Sequence, residues 1–457
     1  MIYHENTERK YDIKLLFIYL QPKYKYNIME YLERMADSQI QERLNAFGAV
    51  LIEGPKWCGK TTSAEHIAAS VIKLQDTEMR AQYIATAATN PALLLRGATP
   101  RLIDEWQDIP ALWDAVRSTV DSRGLEGQFI LTGSNTVDKS QTLHSGNGRI
   151  SQMEMLPMSL WESKESNGEI SLKDLFDNPQ MNIEAVSNVD IDQLIFITCR
   201  GGWPASLRLR DDKSKLMVAK NYFRTACKED VSRVDGVSRD EKLARMILRS
   251  YARNISTLAK KTTLLADVSA SEEIDCSMDT FTSYVKAFEK LFIIQDIGAW
   301  CPAVRSKDAI RNTPKRSFCD PSIAVAALQM TPSSFTTQLK TFGFMFEQLC
   351  IRDLKAYTSD IDTHVGYYHD RYGLEADVVL HLNDGRYALI ECKLGSGEIE
   401  LAAKHLLELK RLIVEHNKTE KQNKIREPDL LLILTGGMYG YRRADGVYVV
   451  PLACLKN

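Results

Sequence analysis

Gly54-Pro55-Lys56-Trp57-Cys58-Gly59-Lys60-Thr61-Thr62 follows the apolar run Ala49-Val50-Leu51-Ile52 and precedes a segment with helical spacing over 63–73. Apolar strand, glycine-bearing turn and helix in this order read as a P-loop. The chemistry explains the spacing: Gly54 and Gly59 let the backbone wrap a di- or triphosphate with its N–H groups, and Lys60 reaches the β and γ oxygens. The Thr61 hydroxyl, with Thr62 beside it, faces a Mg2+ ion. The helix that follows turns the positive end of its dipole towards the anion. The competing reading is a strand-to-helix turn of no function. It does not account for strand, loop and helix all falling where phosphate binding needs them.

Downstream the chain alternates. Residues 71–74 have strand character overlapping the end of the first helix, 79–96 read as helical, and Arg101-Leu102-Ile103 is a short strand ending in Asp104-Glu105. Residues 111–123 read as a helix, and Gln128-Phe129-Ile130-Leu131-Thr132 as a strand ending in Gly133-Ser134-Asn135. Such a series predicts βαβ units around a parallel sheet, with ligands beyond the carboxyl ends of the strands. Asp104 and Glu105 at a strand end are what ATP hydrolysis needs: the first carboxylate holds the Mg2+ shell, and the second orients or deprotonates water. Ser134, or Asn135 next to it, is the expected polar sensor. ATP and Mg2+ are the expected ligands.

The stretches Leu51 to Thr62, Leu102-Ile103-Asp104-Glu105-Trp106-Gln107 and Phe129-Ile130-Leu131-Thr132-Gly133-Ser134 resemble the prokaryotic AAA-type ATPases that carry an uncharacterised C-terminal domain of nuclease-like fold. The resemblance runs from about residue 30 to the end. In that family a Gly-Arg pair precedes a Leu-Pro-Met-Ser turn, here Gly148-Arg149 and Leu156-Pro157-Met158-Ser159. The resemblance implies that Arg149 reaches a phosphate in its own or a neighbouring subunit, where a guanidinium stabilises charge on the γ-phosphoryl oxygens. A surface arginine is the bland alternative.

Residues 162–192 are polar and predict a loop or insertion, and Arg200-Gly201-Gly202-Trp203-Pro204 a turn. Between 240 and 296 three helical patterns precede a strand-like run, Phe292 to Asp296, suggesting a winged-helix unit. Its first helix carries a basic stripe, Lys242, Arg245, Arg249 and Arg253; its third would present Thr280, Ser283, Tyr284 and Lys286 if DNA is bound. A solvated face is the commoner meaning of such a stripe.

The second informative constellation lies beyond residue 341. An amphipathic helix over 343–357 carries Glu347, a strand over 375–382 carries Asp377, and after Asn383-Asp384-Gly385 a second strand carries Glu391-Cys392-Lys393. A three-residue loop pairs Leu382 with Arg386 and sets Asp377 opposite Glu391, whereas a two-residue loop pairs Asp377 with Cys392. Helix, hairpin, helix over 398–416 and strand over 430–434 follow the order of the PD-(D/E)xK nuclease-like fold. Glu347, Asp377, Glu391 and Lys393 match that motif. It implies metal-dependent phosphodiester chemistry: Glu347, Asp377 and Glu391 as Mg2+ ligands, and Glu391 and Lys393 acting on water. In the competing reading these charges only pair with each other.

The chain has 457 residues, enough for about three domains, and 58 basic against 60 acidic side chains give no whole-molecule pull towards nucleic acid or membrane. Nine scattered cysteines without a Cys-x-x-Cys pair suggest reduced thiols in a cytoplasmic protein, and the run Leu15 to Leu20 is too short for a membrane span. The expected architecture is α/β. It comprises an extension (1–28), a P-loop ATPase domain (29–205), a helical winged-helix-like domain (206–300), a connecting segment (301–341) of no readable role and a restriction-endonuclease-like domain (342–457). The expected function is ATP hydrolysis acting on nucleic acid, with DNA as partner. A nucleotide-dependent switch or scaffold that binds a protein partner, or its own copies, is the alternative.

Overall fold

Ala49–Glu53 (β1), Ser70–Lys73 (β2), Arg101–Asp104 (β3), Phe129–Gly133 (β4) and Ile150–Glu154 (β5) form a parallel sheet in the order β2-β3-β4-β1-β5. β1 and β4, both flanked by neighbours, are apolar and buried along nearly their whole length, as strands covered on both faces must be. The register Glu53↔Gly133 and Ile103↔Leu131 aligns the carboxyl ends of β1, β3 and β4, so the P-loop, Asp104-Glu105 and Ser134 emerge on one edge. The structure is a computed structural model describing residues 31–135, 146–270, 276–301, 313–361, 363–370, 373–419 and 424–457. The chain divides into residues 1–32 and the unit Glu33–Asn457, which contains all five of these strands; the expected extension 1–28 lies outside the described residues.

Two helices are shorter than their spacing predicts. The P-loop helix is Lys60–Ile67 rather than 63–73, because Ala68 turns extended (φ −70°, ψ 138°) and the β-branched pair Val71-Ile72 goes into β2. The expected helix 79–96 is Arg80–Thr89 followed by a 3-10 turn, Pro91–Leu95. Pro91 forces Asn90 out of the helical region, and the Asn90 side chain accepts from Ala92 N–H at 3.2 Å. The helix Ala111–Arg123 and the parallel βαβ order stand as read.

The polar stretch 162–192 is not a free loop. It supplies Ile170–Ser171 (β6), a helix Leu172–Asp177 and Glu184–Val186 (β7). The C-terminal region contributes His364–His369 (β8), Glu375–His381 (β9), Tyr387–Lys393 (β10), Leu430–Thr435 (β11), Tyr439–Arg442 (β12), Tyr448–Pro451 (β13) and Leu455–Lys456 (β14). A seven-stranded mixed sheet runs β7-β12-β13-β11-β10-β9-β8, and β6 pairs with β14. A boundary at 205 therefore cuts across a sheet to which the N-terminal region gives an edge strand.

The middle region is helical: Asp212–Thr225 runs into a π-turn, Ala226–Asp230, followed by Glu241–Arg253, Lys261–Ser269 and Met278–Lys290. Of the expected strand 292–296 only Ile294 makes a bridge, antiparallel to Phe318, and Ile297, just beyond it, makes another to Lys315. Tyr284 is buried, its hydroxyl accepting from Asp240 N–H at 2.7 Å, and Ser283 Oγ accepts from Arg239 at 3.1 Å. These two side chains hold the helix bundle together rather than facing outward to read DNA. On the basic stripe, Arg245 pairs with Glu241 and Arg253 with Asp267 at 2.7 Å each.

The helix Leu339–Tyr357 is the shared beam of the C-terminal half. Phe342, Phe346 and Leu349 are fully buried, each contributing about 1.5–3 kcal/mol on removal from water, while Phe344 is 42% exposed. Among the described residues no helix is long and apolar enough to cross a membrane.

Candidate functional site

Gly54 takes φ 146° and Gly59 φ 110°, backbone that side chains avoid, and a Cβ on Gly54 would stand 2.2 Å from the Met155 carbonyl oxygen. The outside of the loop is pinned by Arg34, whose guanidinium donates to Cys58 O (2.7 Å), Leu156 O (2.9 Å) and Glu162 Oε1 (2.9 Å). Lys60 is buried at the helix start and donates to Gly54 O and Pro55 O, both at 2.9 Å. Its ammonium thus sits inside the loop that would wrap the phosphates. Thr62, next along, is exposed.

Asp104 Oδ1 accepts from the Thr61 hydroxyl and from the Thr132 hydroxyl, each at 2.7 Å, and Thr132 Oγ1 accepts from Glu105 N–H at 3.0 Å. A hydroxyl and a carboxylate in direct contact at the loop are the hard-oxygen pair that Mg2+ takes alongside phosphate oxygens. Thr61 and Asp104 would hold the ion, which when bound neutralises phosphate charge. Glu105 adopts left-handed backbone (φ 56°), uncommon for a side-chain-bearing residue. Its Oε2 accepts from Ser134 Oγ (3.1 Å) and from Gln107 Nε2. Ser134 and Gln107 both face a cleft of ≈ 350 Å³ whose far wall includes Asp230, Arg233 and Lys290. At that cleft Lys56 pairs with Asp230 at 2.6 Å, and next to Lys56 in the chain Trp57 meets Tyr222 edge-on at 5.5 Å.

Arg149 is not part of this constellation. It precedes β5, its carbonyl accepting from Ala49 N–H at the amino end of β1, and its side chain pairs with Asp121 at 2.7 Å. A five-residue strand, about 16 Å, separates it from the P-loop edge. Within its own subunit Arg149 is a surface ion pair, and only the neighbouring-subunit form of its expected role is compatible with this position.

Residues 46–164 match the model of an AAA domain family. This segment is similar to AAA-type P-loop ATPase domains. Residues 191–334 match a domain of unknown function, DUF8612, and 342–455 another, DUF4143, so the models meet the ATPase domain, the helical region and the C-terminal sheet in turn. Over 369 residues the chain is 21% identical to uncharacterised proteins of Mycobacterium bovis and Mycobacterium tuberculosis, covering 80% of this chain and 75% of each relative. It is also similar to a solved Walker-type ATPase of Pyrococcus abyssi, at 14% identity and a TM-score of 0.36, over 67% of this chain and 98% of that one.

Away from the P-loop, the second cluster takes the three-residue-loop register, one of the two that the sequence left open. Leu382 N–H donates to Arg386 O at 2.8 Å, closing the three-residue loop, and Ile390 pairs with Val378, so the next pair along sets Glu391 opposite Asp377. Asp377 Oδ2 accepts from Cys392 N–H (2.9 Å) and from Lys393 Nζ (3.1 Å), and Lys393 Nζ lies 2.6 Å from Glu391 Oε2. The Lys393 ammonium is thus the ion-pair partner of Glu391, whose other oxygen, Oε1, is buried 3.7 Å from His405 Nδ1. Burial, reinforced by the Asp377 charge, pushes Glu391 up to about 8, and burial pushes Glu347 up to about 7 against the pull of Lys315. Burial alone would raise Asp377 too, but Lys315 and Lys393 hold it below its ordinary value. Lys315, from the segment whose role the sequence leaves blank, is the member that motif reasoning misses. Among the described residues no three His, Cys, Asp or Glu side chains converge on a point that would hold a metal ion.

Proposed function

We propose that the chain hydrolyses ATP at its P-loop and uses nucleotide state to set the C-terminal domain, which engages a partner without cutting nucleic acid. The observation that carries this reading is one helix shared by both halves. Leu339–Tyr357 bears Glu347 in the C-terminal cluster, and two turns on it bears Asp353, which accepts from Leu160 N–H at 3.0 Å. Tyr357 on the same helix accepts from Trp161 N–H at 3.3 Å, and Lys355 donates to Gln295, which in turn bonds Glu154 at the end of β5. A shift of the strand ends around bound nucleotide therefore has a rigid element to act on. Lys56–Asp230 and Trp57–Tyr222 give the P-loop itself a second contact, to the helical region.

In hydrolysis, Lys60 contacts the phosphates and Glu105, positioned by Ser134 and Gln107, orients or deprotonates the attacking water. Metal-dependent cleavage of nucleic acid by Asp377, Glu391 and Lys393 is the second reading. It is favoured by one observation, the Lys393 ammonium set 3.1 Å from Asp377 Oδ2 and 2.6 Å from Glu391 Oε2. Purified protein with Mg2+ or Mn2+, with and without ATP, against single- and double-stranded DNA and RNA separates the two. Phosphate release without cleavage supports the switch, and metal-dependent cleavage abolished by Asp377→Ala establishes the nuclease instead.

A further inference from the structure

Lys315 reaches the C-terminal cluster from outside the nuclease-like motif. Its backbone is fixed by reciprocal hydrogen bonds with Ile297, both 2.9 Å, and its side chain passes 5.7 Å from the centre of the Tyr367 ring. The buried ammonium then lies 2.6 Å from Glu347 Oε1, 2.9 Å from the Asp377 carbonyl oxygen and 3.8 Å from Asp377 Oδ1. On the other side of Asp377, Lys393 spans to Glu391. Two ammonium groups thus alternate with three carboxylates. Mg2+ asks for near-octahedral oxygen ligation at about 2.0–2.1 Å. The donors do not fit it: one Asp377 oxygen is taken by a backbone N–H and Lys393, and the space between Glu347 and Asp377 is filled by Lys315.

We propose that Lys315 is a built-in counter-ion occupying the place a divalent cation needs between Glu347 and Asp377, which makes the C-terminal cluster metal-independent. The observation is local to the cluster and stands whether or not the P-loop hydrolyses ATP.

The test is Mn2+ binding to the full chain without nucleotide, read by electron paramagnetic resonance and calorimetry. Mn2+ at Thr61 and Asp104 is common to all variants, so the quantity read is the part that depends on Asp377. The unmodified protein should show none: Asp377→Asn and Glu391→Gln should leave its Mn2+ isotherm unchanged within twofold. Lys315→Met, which keeps the stem and drops the charge, should gain one further Mn2+ per chain that the double change Lys315→Met/Asp377→Asn loses. A site in the unmodified protein weakened tenfold or more by Asp377→Asn overturns the proposal, as does a folded Lys315→Met that gains no site. Should Lys315→Met fail to fold, the unmodified protein against Glu391→Gln and Asp377→Asn still decides.

Discussion

Arg352 offers a sharp perturbation of the joint between the two halves. It is 2% exposed, donating Nη1 to Asp320 Oδ2 at 3.0 Å and Nε to Asp353 Oδ1 at 2.8 Å, and both aspartates are fully buried. Asp320 in turn accepts from Gly202 N–H at 2.9 Å, and Asp353 from Leu160 N–H at 3.0 Å, so the network clamps two turns of the N-terminal half onto the C-terminal helix. Arg352→Met keeps most of the volume and leaves two carboxylates without their cation. Breaking a buried pair from one side costs ~3–5 kcal/mol. Because the aspartates keep their N–H donors, and Asp320 also the Ser322 N–H at 2.9 Å, the lower end applies, about 3 kcal/mol. The assay is urea unfolding followed by circular dichroism. Arg352→Met/Asp320→Asn/Asp353→Asn removes all three charges and should recover more than half of the loss. A single-change cost under ~1 kcal/mol, or a triple variant no more stable than the single, refutes the reasoning.

Lys60→Ala should abolish ATP binding, whereas Glu105→Gln should bind ATP at near-parental affinity and lose ~10²–10⁴-fold in turnover, measured by fluorescent-nucleotide binding and phosphate release. Arg149→Ala should leave turnover within twofold in dilute protein and stability within about 1 kcal/mol, since its Asp121 pair is a half-exposed surface contact; a tenfold loss appearing only at high concentration assigns it to a neighbouring subunit. Glu391 and Glu347, raised to about 8 and about 7 from the ordinary 4.5, contribute stability that is full below pH 4.5 and is lost as pH rises through 7 and 8. The urea midpoint should therefore fall between pH 6 and pH 9, and Glu391→Gln should flatten that slope; a parental slope in the variant counts against a buried, proton-holding Glu391.

The arrangement of the P-loop cluster was legible because its residues are local. Loop, lysine and threonine are contiguous in sequence, and Asp104 and Ser134 announce themselves as polar residues ending apolar strands. The hairpin register was narrowed to two choices for a similar reason, since loop length decides whether Glu391 or Cys392 faces Asp377, and the structure takes the three-residue loop. What escaped depends on distant partners. β7 is three residues long and exposed at both ends, and it is a strand only because β12, some 250 positions on, pairs with it. Lys315 sits in a segment without periodicity, and only the fold carries it to Glu347 and Asp377. Arg149 follows the family's spacing, yet parallel strands put the start of β5 at the far edge from the loop. Tyr284 looked available on a helix surface, but its hydroxyl caps onto Asp240 N–H and its ring is buried.

The central claim is that nucleotide at the P-loop is felt by the helix Leu339–Tyr357. Amide hydrogen exchange on Glu105→Gln, with ATP, with ADP and with neither, tests it most directly. ATP should slow exchange in residues 54–67 and also alter it in 226–230 and 339–357, with ADP giving a smaller change. Saturating ATP that alters exchange in residues 54–67 and nowhere beyond the ATPase domain contradicts the account.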